Sequence, residues 1–172
     1  RDPETLAREA SEIEISVLGK PIGIQDQYIS AYGGQRLLSF DVDGKVRVET
    51  LKIDGDDWSI LNERLMLFFT NTTRQAEQVL TEQKRNIDAK IGILRRMKQL
   101  TLEARDCLTN GNLDDFGALL DETWQMKKQL ASKITTTVID EAYKAAKEAG
   151  ARGGKIAGAG GGGYLLLYCR PE

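Results

Sequence analysis

The chain has no histidine, and its 172 residues include only two cysteines and three prolines. Without histidine there is no Ser-His or Cys-His nucleophile and no imidazole-held metal, so any catalysis runs on carboxylates, Lys, Arg, Tyr or backbone groups. Cys107 and Cys169 lie far apart and form no Cys-x-x-Cys spacing, which excludes a zinc ribbon and a dithiol redox motif. Both read as small apolar residues of a reducing, cytoplasmic compartment. The longest apolar run, Tyr164 to Cys169, is far too short to span a bilayer, and the opening Arg-Asp-Pro-Glu carries no apolar targeting segment. Charge of one sign is also lacking. With 24 basic and 26 acidic residues the net charge is −2, and neither nucleic acid nor a membrane is an expected partner. Glycine is the exception: there are 17, several of them in one run near the C-terminus.

The length is that of one ordinary domain, enough to bury about 70% of the unfolded surface. The chain opens inside an acidic amphipathic helix, Pro3 to Leu18, with no Met before it, which suggests a piece of something longer. Gly19-Lys20-Pro21 stops that helix, and a short one follows over Gln25 to Tyr32, closed by Gly33-Gly34. Asp43-Gly44 between Arg36–Val42 and Lys45–Ile53 is a strong hairpin signal. The run Leu65-Met66-Leu67-Phe68-Phe69 predicts a central strand buried on both faces. Helical spacing then dominates from Thr72 to Leu108, with a break near Arg85-Asn86. A helix capped by Asn112 follows, then one over Thr136 to Ala149, and the chain finishes with two short strands around the glycines. Strands early and late with helices between give an α+β class: an antiparallel sheet covered on one face by helices.

Gly158-Ala159-Gly160-Gly161-Gly162-Gly163 fits Gly-x-Gly-x-x-Gly on paper. The dinucleotide reading fails on context, because a strand and not a helix follows. No Gly-Lys pair is followed by Ser or Thr, which excludes a Walker A loop. A hairpin tip needs two glycines at most, and each further one costs about 1 kcal/mol of ordering relative to Ala, so the run points to close approach of a ligand or of another backbone. Consecutive amides there could also form an anion nest.

Asp26 falls in the first turn of the second helix, beside Gly23, which leaves room for a ligand. Helix capping is the plain alternative. The surrounding residues carry more. Gly23-Ile24-Gln25-Asp26-Gln27-Tyr28 with Ala31-Tyr32-Gly33-Gly34 resembles the catalytic-Asp segment of the GHMP small-molecule kinases. Gly154-Lys155-Ile156-Ala157 with the glycine run resembles that family's third motif. Phe68 to Ala76 and Trp124 to Leu130 are similar to its heptose-phosphate kinase branch. The family's phosphate-holding loop, Pro-x-x-x-Gly-Leu-Gly-Ser-Ser, has no counterpart here. The resemblance is therefore to the C-terminal half plus the catalytic-Asp helix.

That resemblance implies a ferredoxin-like C-terminal kinase domain over residues 36–172, preceded in 1–35 by the end of an N-terminal kinase domain. It implies transfer of the γ-phosphoryl group of ATP, with Mg²⁺, to a hydroxyl of a sugar or sugar phosphate. Asp26 would be the base or the electrostatic anchor for that hydroxyl. Gly23, Gln27, Tyr28 and Arg74 would be substrate contacts, although for Arg74 a solvated helix-end charge is the favoured reading. Gly158, Ala159, Gly160, Gly161, Gly162 and Gly163 would lie near the phosphates. No residue is assigned to a metal. The partner is the missing N-terminal half, and without it this chain is expected to be inactive and to bind no cofactor tightly. A homodimer is one of the open oligomeric states. The alternative function is a non-catalytic helical binding or oligomerisation module derived from such a kinase.

Overall fold

In the structure, a computed structural model that describes residues 1–72 and 76–171, the first helix begins where Asp2 and Pro3 put it. The Asp2 carboxylate accepts from the Thr5 N–H at 2.9 Å and from its hydroxyl at 2.8 Å. Pro3 takes a position where its missing N–H costs nothing. Helix α1 (Pro3–Ser11) widens at Glu12 into a π-helical run, Glu12–Val17, in which the Leu18 N–H donates to the Ile13 carbonyl at 2.9 Å. Helix α2 (Gln25–Tyr32) ends at Gly33, whose φ of 62° suits glycine. Strands β1 (Arg36–Phe40) and β2 (Val46–Thr50) form the expected hairpin in the register Arg36↔Thr50 to Phe40↔Val46. Arg47 and Glu49 on β2 face water, alternating with the half-buried Val46 and Val48.

Contacts divide the chain into two compact units, Arg1–Lys52 and Ile53–Glu172. The hairpin thus clusters with the residues before it. In the first unit α1 packs on α2 around buried Ala7 and Tyr28.

The second unit opens with a helix that the sequence reading passed over, α3 (Gly55–Arg64). The sequence reading gave Asp54-Gly55-Asp56-Asp57 no element of its own. Asp54 is instead an N-cap that accepts from the Asp56 N–H at 2.9 Å, and Asp56 and Asp57 sit at the positive end of the helix dipole. Strand β3 (Leu65–Phe69) follows, then α4 (Ala76–Arg85), a 3-10 turn at Asp88–Lys90, α5 (Ile91–Thr109), α6 (Leu113–Lys127), α7 (Thr137–Glu148), β4 (Gly153–Ile156) and β5 (Tyr164–Tyr168). The break after Arg85 is where expected, and the Asn86 amide is tied to the Leu130 carbonyl at 2.9 Å. Asn112 occupies the N-cap of α6 but its side chain makes no capping bond.

The sheet is antiparallel in the order β3-β5-β4. This corrects the expectation for β3, which is an edge strand and not the central one. Met66, Leu67, Phe68 and Phe69 are 44, 63, 47 and 54% exposed. The helical cover reaches β5 and β4 but of β3 only its first residue, Leu65. Leu165, Leu167 and Ile156 join Trp124, Ile134, Ile139 and Tyr143 in the main core. Helix α6 reaches the sheet through two glycines: a Cβ on Gly153 would stand 2.0 Å from the Gly117 carbonyl, and one on Gly117 would stand 2.5 Å from the Tyr168 ring. Among the described residues no helix is long and apolar enough to cross a membrane.

Candidate functional site

Asp26 lies in the first turn of α2, exposed, with the Gln25 amide at 3.4 Å as its hydrogen-bond partner. It lines an open cleft of about 550 Å³ formed within the first unit by α1, the π-helical run and α2. No atom lies within 4 Å of the position a Cβ would take on Gly23, so the approach to Asp26 from that side is open. The cleft wall opposite α2 carries Leu6, Ala10 and Glu14.

Gln27 and Tyr28 follow Asp26 but are spent differently. Gln27 is 92% buried (8% exposed) and its amide N–H donates to Glu14 at 2.7 Å across the cleft wall. Its carbonyl oxygen is buried with no hydrogen-bond partner. An ionised Glu14 can only accept, which fixes the amide nitrogen toward it and leaves the acceptor oxygen on the other side. The π-helical widening at Glu12–Val17 is what carries Glu14 to this position, in keeping with the frequent appearance of such turns at functional sites. Sequence reasoning missed Glu14: Leu6, Ala10, Ile13 and Val17 keep helical spacing across the widening and leave no trace of it.

Tyr28 points to the opposite side of α2 and lines a second cleft with Glu4, Arg8 and Lys45. Its hydroxyl donates to Glu4 at 2.9 Å, and Tyr32 donates to the same carboxylate at 3.1 Å. Burial first, then the Glu4 contact, pushes the Tyr28 hydroxyl up to about 12. A substrate contact through that hydroxyl would have to displace Glu4. Arg74 lies outside the described residues.

The glycine run is a packed loop between β4 and β5. The Gly161 N–H donates to the Ile134 carbonyl at 2.6 Å and the Gly163 N–H to the Thr72 carbonyl at 3.1 Å. The Lys127 ammonium donates to the Gly158 carbonyl. The crowding is backbone against backbone: a Cβ on Gly160 would be 2.8 Å from the Ile134 carbonyl oxygen, and one on Gly161 2.7 Å from that of Lys133. Both glycines also have positive φ, 106° and 75°. Close approach of another backbone therefore explains these glycines, and the Gly161 and Gly163 amides are already engaged within the fold. Just before the loop, Lys155 on β4 is partly buried, and its ammonium has no hydrogen-bond or ion-pair partner among the described residues. Burial alone lowers its ammonium below the usual lysine value.

Residues 104–172 match the model of the GHMP kinases C-terminal family. These residues form a GHMP kinase C-terminal domain. The chain is 30% identical over 168 residues to a D-glycero-alpha-D-manno-heptose 7-phosphate kinase of Campylobacter jejuni, a match covering 96% of this chain and 50% of the relative. The structure of a D-glycero-D-manno-heptose 1-phosphate kinase from Bacteroides thetaiotaomicron superposes with a TM-score of 0.68 at 28% identity, covering 99% of this chain and 45% of that one. Streptococcus pneumoniae phosphomevalonate kinase superposes with a TM-score of 0.80 at 15% identity over 100% of this chain and 55% of that one, a likeness of fold alone. The chain thus spans about half the length of the kinases it matches.

Proposed function

We propose that the chain is the C-terminal portion of an ATP-dependent sugar kinase that phosphorylates a hydroxyl of a heptose phosphate, with heptose 7-phosphate as the substrate to try first. The observation that carries this is the match to a heptose 7-phosphate kinase along 96% of the chain, Asp26 segment and glycine loop included. Phosphoryl transfer has a loose transition state, so catalysis rests on positioning and charge. Asp26 would accept a hydrogen bond from the attacking hydroxyl, orienting it and taking its proton as the bond to phosphorus forms. Its exposure at the mouth of an open cleft supports that role. The glycine loop would act as packed floor and not as a phosphate cradle, since two of its amides are already used. The described residues hold no cluster of three or more groups suited to a metal, so Mg²⁺ is not given a ligand here.

Two measurements test the reading. In the intact kinase, Asp26→Asn is expected to lower kcat by two or more orders of magnitude with ATP affinity nearly unchanged; wild-type turnover would remove Asp26 from the mechanism. The 172-residue chain alone is expected to show no kinase activity and no tight binding in a calorimetric titration with MgATP. Micromolar affinity there would mean that the nucleotide is held by residues of this chain.

A further inference from the structure

The net charge of −2 conceals two patches of opposite sign within the second unit. Between Lys84 and Lys98 six basic residues stand against one acidic residue, Asp88. Of the six, Arg96 alone has an ion pair among the described residues. The Asn86 N–H donates to the Glu82 carbonyl at 3.1 Å and the Lys90 N–H to the Asn86 carbonyl at 3.0 Å, so the coil continues through the break between α4 and α5. Lys84, Ile87, Ile91, Arg95 and Lys98 then recur at steps of three and four, and all are exposed. Ile87 and Ile91 lie mid-stripe with 44 and 45% of their surface open to water. Like charges at this spacing destabilise a helix when nothing opposes them.

The complement is on α3. Residues 53–63 hold four acidic side chains and no basic one. Asp56, Ile60 and Glu63 recur at the same steps and are exposed, an apolar residue between two carboxylates. Neither carboxylate has an ion pair among the described residues. The two patches stand at opposite ends of α5. Leu61 of α3 packs with Leu108 and Leu113, and the Asp57 carboxylate lies 2.7 Å from the position a Cβ would take on Gly111. Helix α3 is thereby fixed to the C-terminal end of α5, while Ile91 opens the N-terminal end. From Ile91 to Leu108 the helix rises about 25 Å, so α3 is out of reach of the basic stripe of its own chain.

We propose that the chain pairs with a second copy of itself, the two α5 helices antiparallel about a two-fold axis, with α3 of each copy on the Lys84–Lys98 stripe of the other. Ile60 meets Ile87 and Ile91, and Asp56 and Glu63 meet the cations on either side. Charge complementarity selects this occupant: the anionic helix that the stripe lacks is carried by the same chain, at the end an antiparallel copy presents. The two-fold axis makes the contact twice, which counts because a specific interface needs about 1,200 Å² and one helix crossing supplies less. The kinase reading plays no part in this.

The test is sedimentation equilibrium of the 172-residue chain and its charge variants. The wild-type chain should show a monomer–dimer equilibrium whose dissociation constant rises at least about 10-fold from low to high salt. Lys84→Glu with Arg95→Glu, and separately Asp56→Lys with Glu63→Lys, should each weaken the dimer by at least about 10-fold, since like charges then face each other in both contacts. An equimolar mixture of the two variants restores opposite charges in both contacts and should recover a dimer within about threefold of wild type. Urea midpoints show that each variant is folded. Should Asp56→Lys undo the start of α3, where the helix dipole opposes a cation, Glu63→Lys alone against Arg95→Glu alone repeats the exchange. Leu67→Lys with Phe69→Lys, on the exposed β3, should leave the dimer unchanged. A monomer at every concentration overturns the proposal and leaves both patches to a different partner. A dimer that survives both reversals, that mixing does not restore, or that the β3 variant abolishes also overturns it.

Discussion

Gly161 and Asp26 show what a single residue can and cannot disclose in advance. The glycine run was conspicuous in the sequence, and its strand context was readable. The carbonyls that demand it were not, because Thr72, Lys133 and Ile134 reach the loop only through the tertiary fold. A Cβ on Gly161 would meet the Lys133 carbonyl oxygen at 2.7 Å with φ at 75°. A left-handed non-glycine residue costs about 1–3 kcal/mol before any clash is counted. Gly161→Ala is therefore expected to destabilise the second unit by at least about 2 kcal/mol in urea unfolding. A loss below about 0.5 kcal/mol, the range of neutral surface changes, would show that the loop yields and that its glycines serve something other than packing. Asp26 was the reverse case. Its helix position was legible from Gly23 and Gly33 on either side, whereas its neighbour across the cleft, Glu14, depends on a π-helical widening that no propensity rule announces.

At the scale of elements, apolar pattern was a sound guide to existence and a poor one to environment. Helix α2 falls on the residues expected, since Gly23 before it and Gly33-Gly34 after it bracket the segment. Strand β3 also exists where expected, but a continuous apolar run cannot say which neighbours supply the cover. The same is true of the contacts that join elements. The Asp121 carboxylate on α6 accepts from the Tyr143 hydroxyl on α7 at 2.6 Å, and from Gln125 and Lys147 at 3.0 and 3.2 Å. Lys147 also reaches the Arg152 carbonyl at 2.7 Å, just before β4. Burial raises the Asp121 carboxyl, but these hydrogen bonds outweigh it and hold the group below its ordinary value of 3.8. A lowered folded value means that the unfolded chain binds the proton more readily. The stabilisation is then complete above 3.8 and is lost as pH falls through the lower folded value. Asp121→Asn should cost about 1–2 kcal/mol, evenly between about pH 5 and pH 7. The gap from wild type should close only below pH 3.8. Urea midpoints collected across that range give the answer. A gap that closed already near neutral pH would assign the link to Lys147 or Tyr143 packing and not to the carboxylate.

The whole molecule is two bodies of unequal strength. In the first, the buried apolar side chains are Ala7, Tyr28 and Leu37; the others all lie beyond residue 52, with Trp124, Ile134 and Ile156 fully enclosed. A body of some fifty residues buries only about 60% of its unfolded surface even when well packed, and here its clefts stand open. The unit that carries Asp26 should therefore be the weaker one. Limited trypsin digestion of the 172-residue chain is expected to cut at Arg36, Lys45 or Lys52 well before any site in α5 or α6. The surviving fragment should begin near residue 53 and keep its helical circular dichroism. If the chain is part of a longer kinase, as proposed, the same sites should resist in that protein, because further segments would then complete this unit's core. Early cleavage within α5 or α6 with the first unit intact would reverse the ranking. It would also mean that the Asp26 cleft is held rigid by this chain's own residues.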